Sequence, residues 1–150
     1  MDESDLAYAA GIIDGEGSIS IFERPQHKGN RNPSFRLSIR VSMTDPVVPY
    51  WLKEQFGGSV AYKEWANTKW KPVYTWTFVA RKAYELSLEL LPHLKTKRQQ
   101  AELAIRLYEG GPFGGSQHGR RLPEDELARR RALKDEIQAL NHRGTINSAT

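Results

Sequence analysis

The sequence has 150 residues and a formal net charge of +4, so it suits one domain, and its mild basicity fits a polyanionic partner without requiring one. Because it contains no cysteine, disulfide frameworks and thiolate zinc sites are excluded. No apolar run approaches a membrane span and the acidic start Met1–Asp5 is unlike a secretory signal or transit peptide, so we expect a soluble intracellular protein of a bacterial or phage cytoplasm or of an organelle.

Cap-forming residues followed by helically spaced apolar residues predict helices, and two-residue alternation predicts strands. In chain order the predicted elements are a helix from Asp2 or Ser4 to about Asp14, strands over 18–24 and 35–42, a helix from Asp45 to Phe56, strands over 59–65 and 72–79, helices over 81–91 and 95–109, and a last helix over about Pro123–Asn141. Asp45 is expected to be an N-cap, with Pro46 at the first helical position. The glycine-rich segment 110–121 is predicted to be a flexible loop, and 142–150 a polar tail ordered only by a partner.

These elements predict a single α+β domain over residues 1–150, in the order α-β-β-α-β-β-α-α, with an antiparallel sheet. The polar segment Pro25–Pro33 is expected to join the first two strands as a long hairpin loop. The alternation along 35–42 predicts one apolar face and one polar face for the sheet.

The most informative stretch is Ala9-Ala10-Gly11-Ile12-Ile13-Asp14-Gly15-Glu16-Gly17, at the end of the first helix. Ala7, Gly11 and Gly15 are spaced by four and therefore share one helix face. Each glycine inside a helix costs about 1 kcal/mol relative to alanine, so two at this spacing favour the close approach of another backbone. The alternative is a helix packed only on its own sheet, with Gly15 and Gly17 as its C-cap.

The two acids of this stretch point to a cation. Asp14 and Glu16 lie where the helix macrodipole is negative, so unpaired acids are disfavoured there. No lysine or arginine follows in the sequence until Arg24. A carboxylate together with a free carbonyl at a helix end suits Mg²⁺, and the residues therefore indicate a divalent metal site without establishing one.

The nonapeptide resembles the LAGLIDADG motif, with Ala9 at its leading leucine and Gly15-Glu16-Gly17 at its Ala-Asp-Gly end. The order of the elements also resembles the single-motif homing endonucleases over nearly the full chain. Leu91–Ala101 resembles the basic stretch before the family's third long helix, and Ile137–Asn141 the end of its C-terminal helix. Leu103–Gly111 echoes the motif but lacks its third-position glycine, so we find no second motif.

The resemblance implies a Mg²⁺-dependent, site-specific double-strand DNA endonuclease of an intron, an intein or a free-standing mobile element, with Mn²⁺ as an alternative ion. Two copies would pack through Ala7, Gly11 and Gly15 as a homodimer on a long pseudo-palindromic DNA site, with no membrane or small-molecule partner. Glu16 and the Gly15 carbonyl would hold the metal, and Lys97 would stabilise developing negative charge. A solvated lysine at a helix start is the alternative for Lys97.

One position departs from the family pattern. After the second strand the family often has a glutamine that orders the active-site water, whereas Met43 falls there, and a thioether is a poor hydrogen-bonding group. Thr44 is the substitute if the match shifts by one residue. A DNA- or RNA-binding relative without catalysis, either maturase-like or a regulator, therefore stays open, as does an unrelated α+β interaction module.

The polar faces of the strands are the expected DNA-reading surface, since a β-ribbon fits the major groove. Arginine and glutamine suit base edges and lysine suits phosphates, although a sheet facing only solvent would show the same alternation. The predicted DNA contacts are Ser20, Phe22, Arg24, Gln26, Lys28, Arg36, Ser38, Arg40, Ser42, Lys63, Lys69, Lys71, Thr75 and Thr77.

The remaining chemistry-bearing residues support no other nuclease class. The histidines show no metal-ligand spacing, and no acid is followed two residues later by lysine, which removes a restriction-type site. Arg129-Arg130-Arg131 is predicted to be a solvated helix face, with contact to the DNA backbone as the alternative. Of the aromatic residues, Trp51, Trp76 and Phe78 are predicted in the core, and Trp65 and Trp70 are left open between core and DNA stacking.

Overall fold

The computed structural model describes residues 2–25, 32–66, 69–109 and 122–149, with side chains as far as His142 in the last range. These residues form an α+β fold with a four-stranded antiparallel sheet. The elements are α1 (Glu3–Glu16), β1 (Gly17–Arg24), β2 (Ser34–Met43), α2 (Val47–Phe56), β3 (Ser59–Lys63), β4 (Val73–Val79), α3 (Ala80–Leu90), α4 (Arg98–Glu109) and α5 (Glu124–Ala149). The predicted fold class is confirmed. The last predicted helix, after 110–121, is present as α5, so the full order of elements is αββαββααα. The segment 110–121 itself lies outside the described residues.

The sheet has the strand order β1-β2-β4-β3, and each neighbouring pair is antiparallel. Ile19 lies opposite Ile39, and Val41 lies opposite Trp76. All four are fully buried in a single apolar cluster with residues of α1, α3, α4 and α5. Because side chains alternate along a strand, the other face of the sheet carries the polar residues and is left open.

Helix α1 ends at Glu16, two residues beyond the predicted end at Asp14. The backbone N–H of Gly17 donates to the Ile13 carbonyl and closes the last turn. A Cβ on Gly17 would lie 2.8 Å from the Ile13 Cα and 3.2 Å from the Arg40 carbonyl oxygen. Only glycine fits at this position, because a Cβ would clash first with the last turn of α1 itself and then with the backbone of strand β2.

The predicted caps are present with one small shift. Asp2 caps α1 by accepting a hydrogen bond from the Asp5 backbone N–H at 2.9 Å. Asp45 likewise accepts from the Val47 backbone N–H at 2.9 Å, but α2 begins at Val47, so Pro46 precedes the helix. Helix α2 ends at Gly57, where a positive φ of 97° requires a residue without a Cβ penalty.

Helix α5 continues to Ala149, so the prediction that it ends at Asn141 and is followed by a polar tail is wrong for the backbone. No proline follows Pro123 in the sequence, and a single interior glycine costs a helix only about 1 kcal/mol. Nothing beyond Asn141 therefore forces the helix to stop. None of the helices described here is long and apolar enough to cross a membrane.

The arginine run on α5 is not a solvated face, which corrects the prediction. Arg130 is 6% exposed and donates to Glu126 at 2.9 Å. Arg129 donates to the same carboxylate at 2.8 Å and to a backbone carbonyl of α4 at 2.9 Å. Arg131 reaches Glu23 of β1 at 3.0 Å. The run therefore fastens α5 to α4 and to the edge strand β1.

Candidate active site

Asp14, near the end of α1, is a structural anchor for the segment that precedes α4. Its carboxylate accepts hydrogen bonds from the backbone N–H groups of Lys95 and Lys97, each at 2.9 Å. These bonds fix the turn before α4, which begins at Arg98, three residues after the predicted start at Lys95. Between α3 and this turn, Leu91–His93 form a single 3₁₀ turn.

Lys97 is brought to the end of α1 by the same contact. Its Nζ donates to the Asp14 backbone carbonyl at 3.2 Å, and the side chain is half-buried. No lysine or arginine lies between these acids and Arg24 in the sequence, but the fold places Lys97 beside Asp14. A fully solvated Lys97, the alternative weighed above, does not fit a half-buried side chain that donates to a carbonyl of the last helical turn, where a cation also offsets the macrodipole.

Glu16 has a different environment from Asp14. It is exposed, and it makes no hydrogen bond or ion pair with any residue in the described ranges. The Gly15 carbonyl belongs to the last turn, where helix carbonyls have no intrahelical partner. An exposed carboxylate and a free carbonyl one residue apart are the hard oxygen donors that Mg²⁺ accepts. The residues present therefore fit a divalent ion, with two donors per chain.

A complete site is not formed by the described part of one chain. Among its residues, no group of three or more His, Asp or Glu side chains could hold a metal ion. His93 and His142 lie on separate elements, while His27 and His118 fall outside the described ranges. The near-repeat of the motif on α4 is part of the core, since Leu103, Ala104 and Leu107 are buried.

The small residues of α1 face away from the rest of the chain. Gly11 and Gly15 are exposed, and a Cβ on either would have no neighbouring atom within 4 Å. Ala7 is exposed on the same face, whereas Ala10 and Ile13 are turned into the core. Helix α1 does pack on its own sheet through Ala10 and Ile13, with Gly17 as its C-cap, but Gly11 and Gly15 take no part in that packing.

Met43 does not reach the polar face of the sheet. It is partly buried and packs against the apolar cluster, so it cannot orient a water at the open face. Thr44, which follows strand β2, is exposed. Of the two residues weighed from the sequence for this role, only Thr44 presents its side chain to solvent.

Most of the predicted DNA contacts share the open face of the sheet or the loop at its end. Cross-strand pairing places Ser20 opposite Ser38, Arg40 opposite Thr77 and Ser42 opposite Thr75. Exposed members are Phe22, Arg24, Arg36, Arg40, Ser42, Lys63, Lys69 and Lys71, and half-buried members are Ser20, Thr75 and Thr77. Gln26 and Lys28 lie outside the described residues.

Two features of this surface were not predicted from the sequence. Ser38 is 2% exposed, and its Oγ has no hydrogen-bond partner in the described structure, so its predicted contact with DNA is not available in this conformation. The Arg40 guanidinium lies over the Phe22 ring, 5.5 Å from the ring centroid. Stacking of this kind holds an arginine on a flat surface without removing its charge.

The exposed tryptophans lie at the far end of the same surface. Trp65 and Trp70 pack edge to face, with ring centroids 5.3 Å apart, and the Lys63 Nζ lies 4.1 Å from the Trp65 centroid. Trp76 is fully buried, as predicted, and donates its indole N–H to the Gly57 carbonyl at 2.8 Å. The two loop tryptophans therefore belong to the surface and not to the core.

A polar link between α5 and the sheet was missed by sequence reasoning. The Asn141 side-chain amide donates to the Ile19 carbonyl at 3.1 Å and lies 3.4 Å from the Ser20 Oγ. The side-chain amide of Gln100, on α4, donates to the side-chain carbonyl oxygen of Asn141 at 3.4 Å. An asparagine near a helix end carries no sequence signal for such a bridge, because its partners are 41 and 122 positions away.

Comparison with known proteins gives matches in structure only. No family model and no curated protein matches the sequence. The homing endonuclease I-CvuI, solved in complex with the I-CreI target in the presence of 2 mM Mg, is 18% identical over 92% of this chain and 82% of its own, with a TM-score of 0.71. The archaeal intron-encoded homing endonuclease I-Vdi141I, complexed with DNA, is 19% identical over 93% of this chain and 86% of its own, with a TM-score of 0.67.

A third structure differs in length. The LAGLIDADG homing endonuclease I-SmaMI, bound to cleaved DNA, is 19% identical over 89% of this chain but only 46% of its own, with a TM-score of 0.60. This chain therefore corresponds to about half of that enzyme and to most of the other two. The likeness establishes the architecture: the chain has the fold of the LAGLIDADG homing endonucleases.

Proposed function

We propose that the protein is a divalent-metal-dependent, site-specific DNA endonuclease of the homing type that acts as a homodimer. The observation that carries the proposal is the state of Glu16, an exposed carboxylate without a partner in the described chain, at the end of a helix that has this fold's motif. The alternative of a non-cutting DNA- or RNA-binding protein rests on Met43 alone, and the exposed Thr44 beside it offers a hydroxyl for the same role.

Each residue of the candidate site has a chemical role. Glu16 and the Gly15 carbonyl would hold the ion, and Mg²⁺ suits these oxygen donors, with Mn²⁺ as an alternative. When bound, such ions supply an activated water and stabilise charge on the transferred phosphate. Lys97, aimed at this helix end, would stabilise the negative charge that develops on the DNA. Asp14 would act through Lys97 by fixing its backbone.

The proposed dimer follows from the open face of α1. Ala7, Gly11 and Gly15 form a smooth ridge on which a second backbone could lie closely. Tyr8, 50% exposed, borders this ridge and packs edge to face on Trp51 at 5.1 Å. An identical α1 crossing here would bring its own Glu16 to the same end, so that two carboxylates share one site across a two-fold axis.

The proposed DNA contact is the open face of the sheet. Its exposed cations, on β1, β2 and the β3–β4 loop, match the charge of a phosphate backbone. Two such sheets related by the dimer axis would follow a long, nearly palindromic site. The structural neighbours I-CvuI and I-Vdi141I were themselves solved with DNA, which supports this assignment.

The direct test is a cleavage selection. Purified protein would be incubated with a library of randomised palindromic duplexes in Mg²⁺ and in Ca²⁺, beside Glu16→Gln and the control Glu54→Gln, which alters an exposed carboxylate on α2. We expect cut ends from wild type and Glu54→Gln in Mg²⁺, and none from Glu16→Gln. Selective binding without cutting in any divalent ion would contradict the endonuclease and leave a DNA-binding protein of the same fold.

A further inference from the structure

A cavity of about 320 Å³ opens at the end of the sheet where β1 finishes and α3 begins. Three arginines from three different elements line it, namely Arg24 of β1, Arg36 of β2 and Arg81 of α3. The rest of its wall is Ser34, Phe35, Ala80 and Tyr108. No carboxylate in the described chain belongs to this wall, so its charge is concentrated and positive.

The three guanidinium groups are not neutralised within the described structure. Arg24 and Arg36 make no hydrogen bond or ion pair with any residue described. Arg81 pairs with Glu85 only at 3.9 Å, with both side chains about two-thirds exposed, and an exposed pair of this kind contributes little. Like charges gathered around one cavity repel one another, and an anion between them would remove that repulsion.

The backbone around the cavity adds to the positive field. Strand β4 ends opposite Ser38 of β2, so Arg36 lies just beyond the point where the chain turns into α3. Helix α3 has no side-chain cap and no acid in its first turn, which leaves its positive end open. Ala80 makes the turn with φ of 63°, a strained value for a residue with a Cβ.

We propose that this cavity binds one phosphate group of the DNA backbone, held jointly by Arg24, Arg36 and Arg81. The inference rests on the proposed function. It also reassigns Arg24 and Arg36, which the sequence favours as base-reading residues, to a contact that fixes position and carries no sequence information. Arginine matches a phosphate through paired N–H donors. A DNA source fits because Arg24 and Arg36 continue the open face that carries Phe22 and Arg40.

The test is the salt dependence of DNA binding. Wild type, the triple variant Arg24→Gln/Arg36→Gln/Arg81→Gln and the control Arg106→Gln, an exposed arginine of α4 outside this cavity, would be titrated with a duplex of random sequence in Ca²⁺ between about 50 and 200 mM salt. Far-UV circular dichroism would confirm that each variant is folded. One shared phosphate predicts that the triple variant lowers the slope of log K against log salt by about 0.9, with Arg106→Gln unchanged.

Four results would overturn the assignment. An unchanged slope in the triple variant would mean that the cavity does not meet DNA, and a loss near 1.8 would mean two separate phosphates. A changed preference among selected target sequences would mean base contacts. Stabilisation by inorganic phosphate at matched ionic strength, lost in the triple variant without a change in DNA slope, would assign the cavity to a free anion. If wild type itself binds no DNA, the proposed function fails together with this inference, whereas the other results leave it standing.

Discussion

At the residue scale, two acids separated by one position have opposite roles. Asp14 is fully engaged by the backbone of Lys95 and Lys97, whereas Glu16 is exposed and free to bind a ligand. Helix position alone places both acids at the negative end of α1, and in the sequence only the family resemblance singles out Glu16. The distinction depends on partners 81 and 83 positions away, which only the folded chain brings together.

Asp14→Asn should therefore impair the candidate active site indirectly, through the backbone that positions Lys97. Asparagine has one acceptor oxygen, so one of the two backbone N–H groups loses its partner and the free energy of unfolding should fall by about 1–3 kcal/mol. Because Lys97 shifts with that backbone, cleavage should fall by about 10- to 100-fold while DNA binding is kept. Urea unfolding and cleavage assays measure both. Wild-type cleavage in this variant would show that Asp14 does not position Lys97.

At the element scale, the alternation of apolar residues and the capping residues predicted the positions of helices and strands, whereas the pattern of charges did not predict ion-pair partners. The register of β2 follows its alternation, because slipping by one residue would expose Leu37, Ile39 and Val41 to water. The Arg129–Arg131 run was misjudged because its charge was taken as solvation, although Glu126 lies one turn earlier on the same helix. Only the partner of Arg131, Glu23, lies more than 100 positions away. The predicted start of α4 at Lys95 is three residues earlier than the observed start at Arg98.

The attachment of α5 to β1 should be sensitive to acid. Hydrogen bonds from Arg131 and Lys134 hold the pKa of Glu23 below its usual 4.5. A folded-state pKa that is lowered stabilises the protein above the unfolded value, and this contribution is lost as the pH falls through the lowered pKa. The free energy of unfolding should therefore drop below pH 4.5. Glu23→Gln should show a shallower drop over the same range.

Urea unfolding at several pH values checks the acid response, with Glu54→Gln as the control. Glu54 lies on an exposed part of α2 and is not paired with a basic residue in the described chain. A decline in Glu23→Gln as steep as in wild type would place the acid-sensitive contact elsewhere. Glu126, whose pKa is lowered by Arg129 and then Arg130, is the next residue to substitute.

The crossing of α1 over β2 should depend on Gly17. In Gly17→Ala the new methyl group would lie 2.8 Å from the Ile13 Cα and 2.9 Å from its carbonyl oxygen. Both atoms are backbone and cannot rotate away, so overpacking should lower the free energy of unfolding by about 1–3 kcal/mol. Thermal or urea unfolding measures this. Wild-type stability would mean that the last turn of α1 can relax away from residue 17.

At the scale of the whole molecule, the described chain leaves one helix face and one carboxylate without a partner among its own described residues. Its core is closed on one face of the sheet, yet α1 keeps a ridge of Ala7, Gly11 and Gly15 uncovered and ends in a lone carboxylate. The fold and this motif could be read from the sequence, because both follow from local spacing. The cavity of three arginines could not, since its members lie on separate elements and meet only through the sheet register.

The central claim is that a working site takes one Glu16 from each of two chains, and mixed dimers test it most directly. Wild type and Glu16→Gln would be co-refolded in varied ratios and assayed in Mg²⁺ for nicking, the cleavage of either strand of a selected target. If only dimers with two intact carboxylates cut either strand, an equal mixture should retain about a quarter of the wild-type rate, following the square of the wild-type fraction. A rate that follows the wild-type fraction linearly would show that one chain holds a complete site, and would contradict the account.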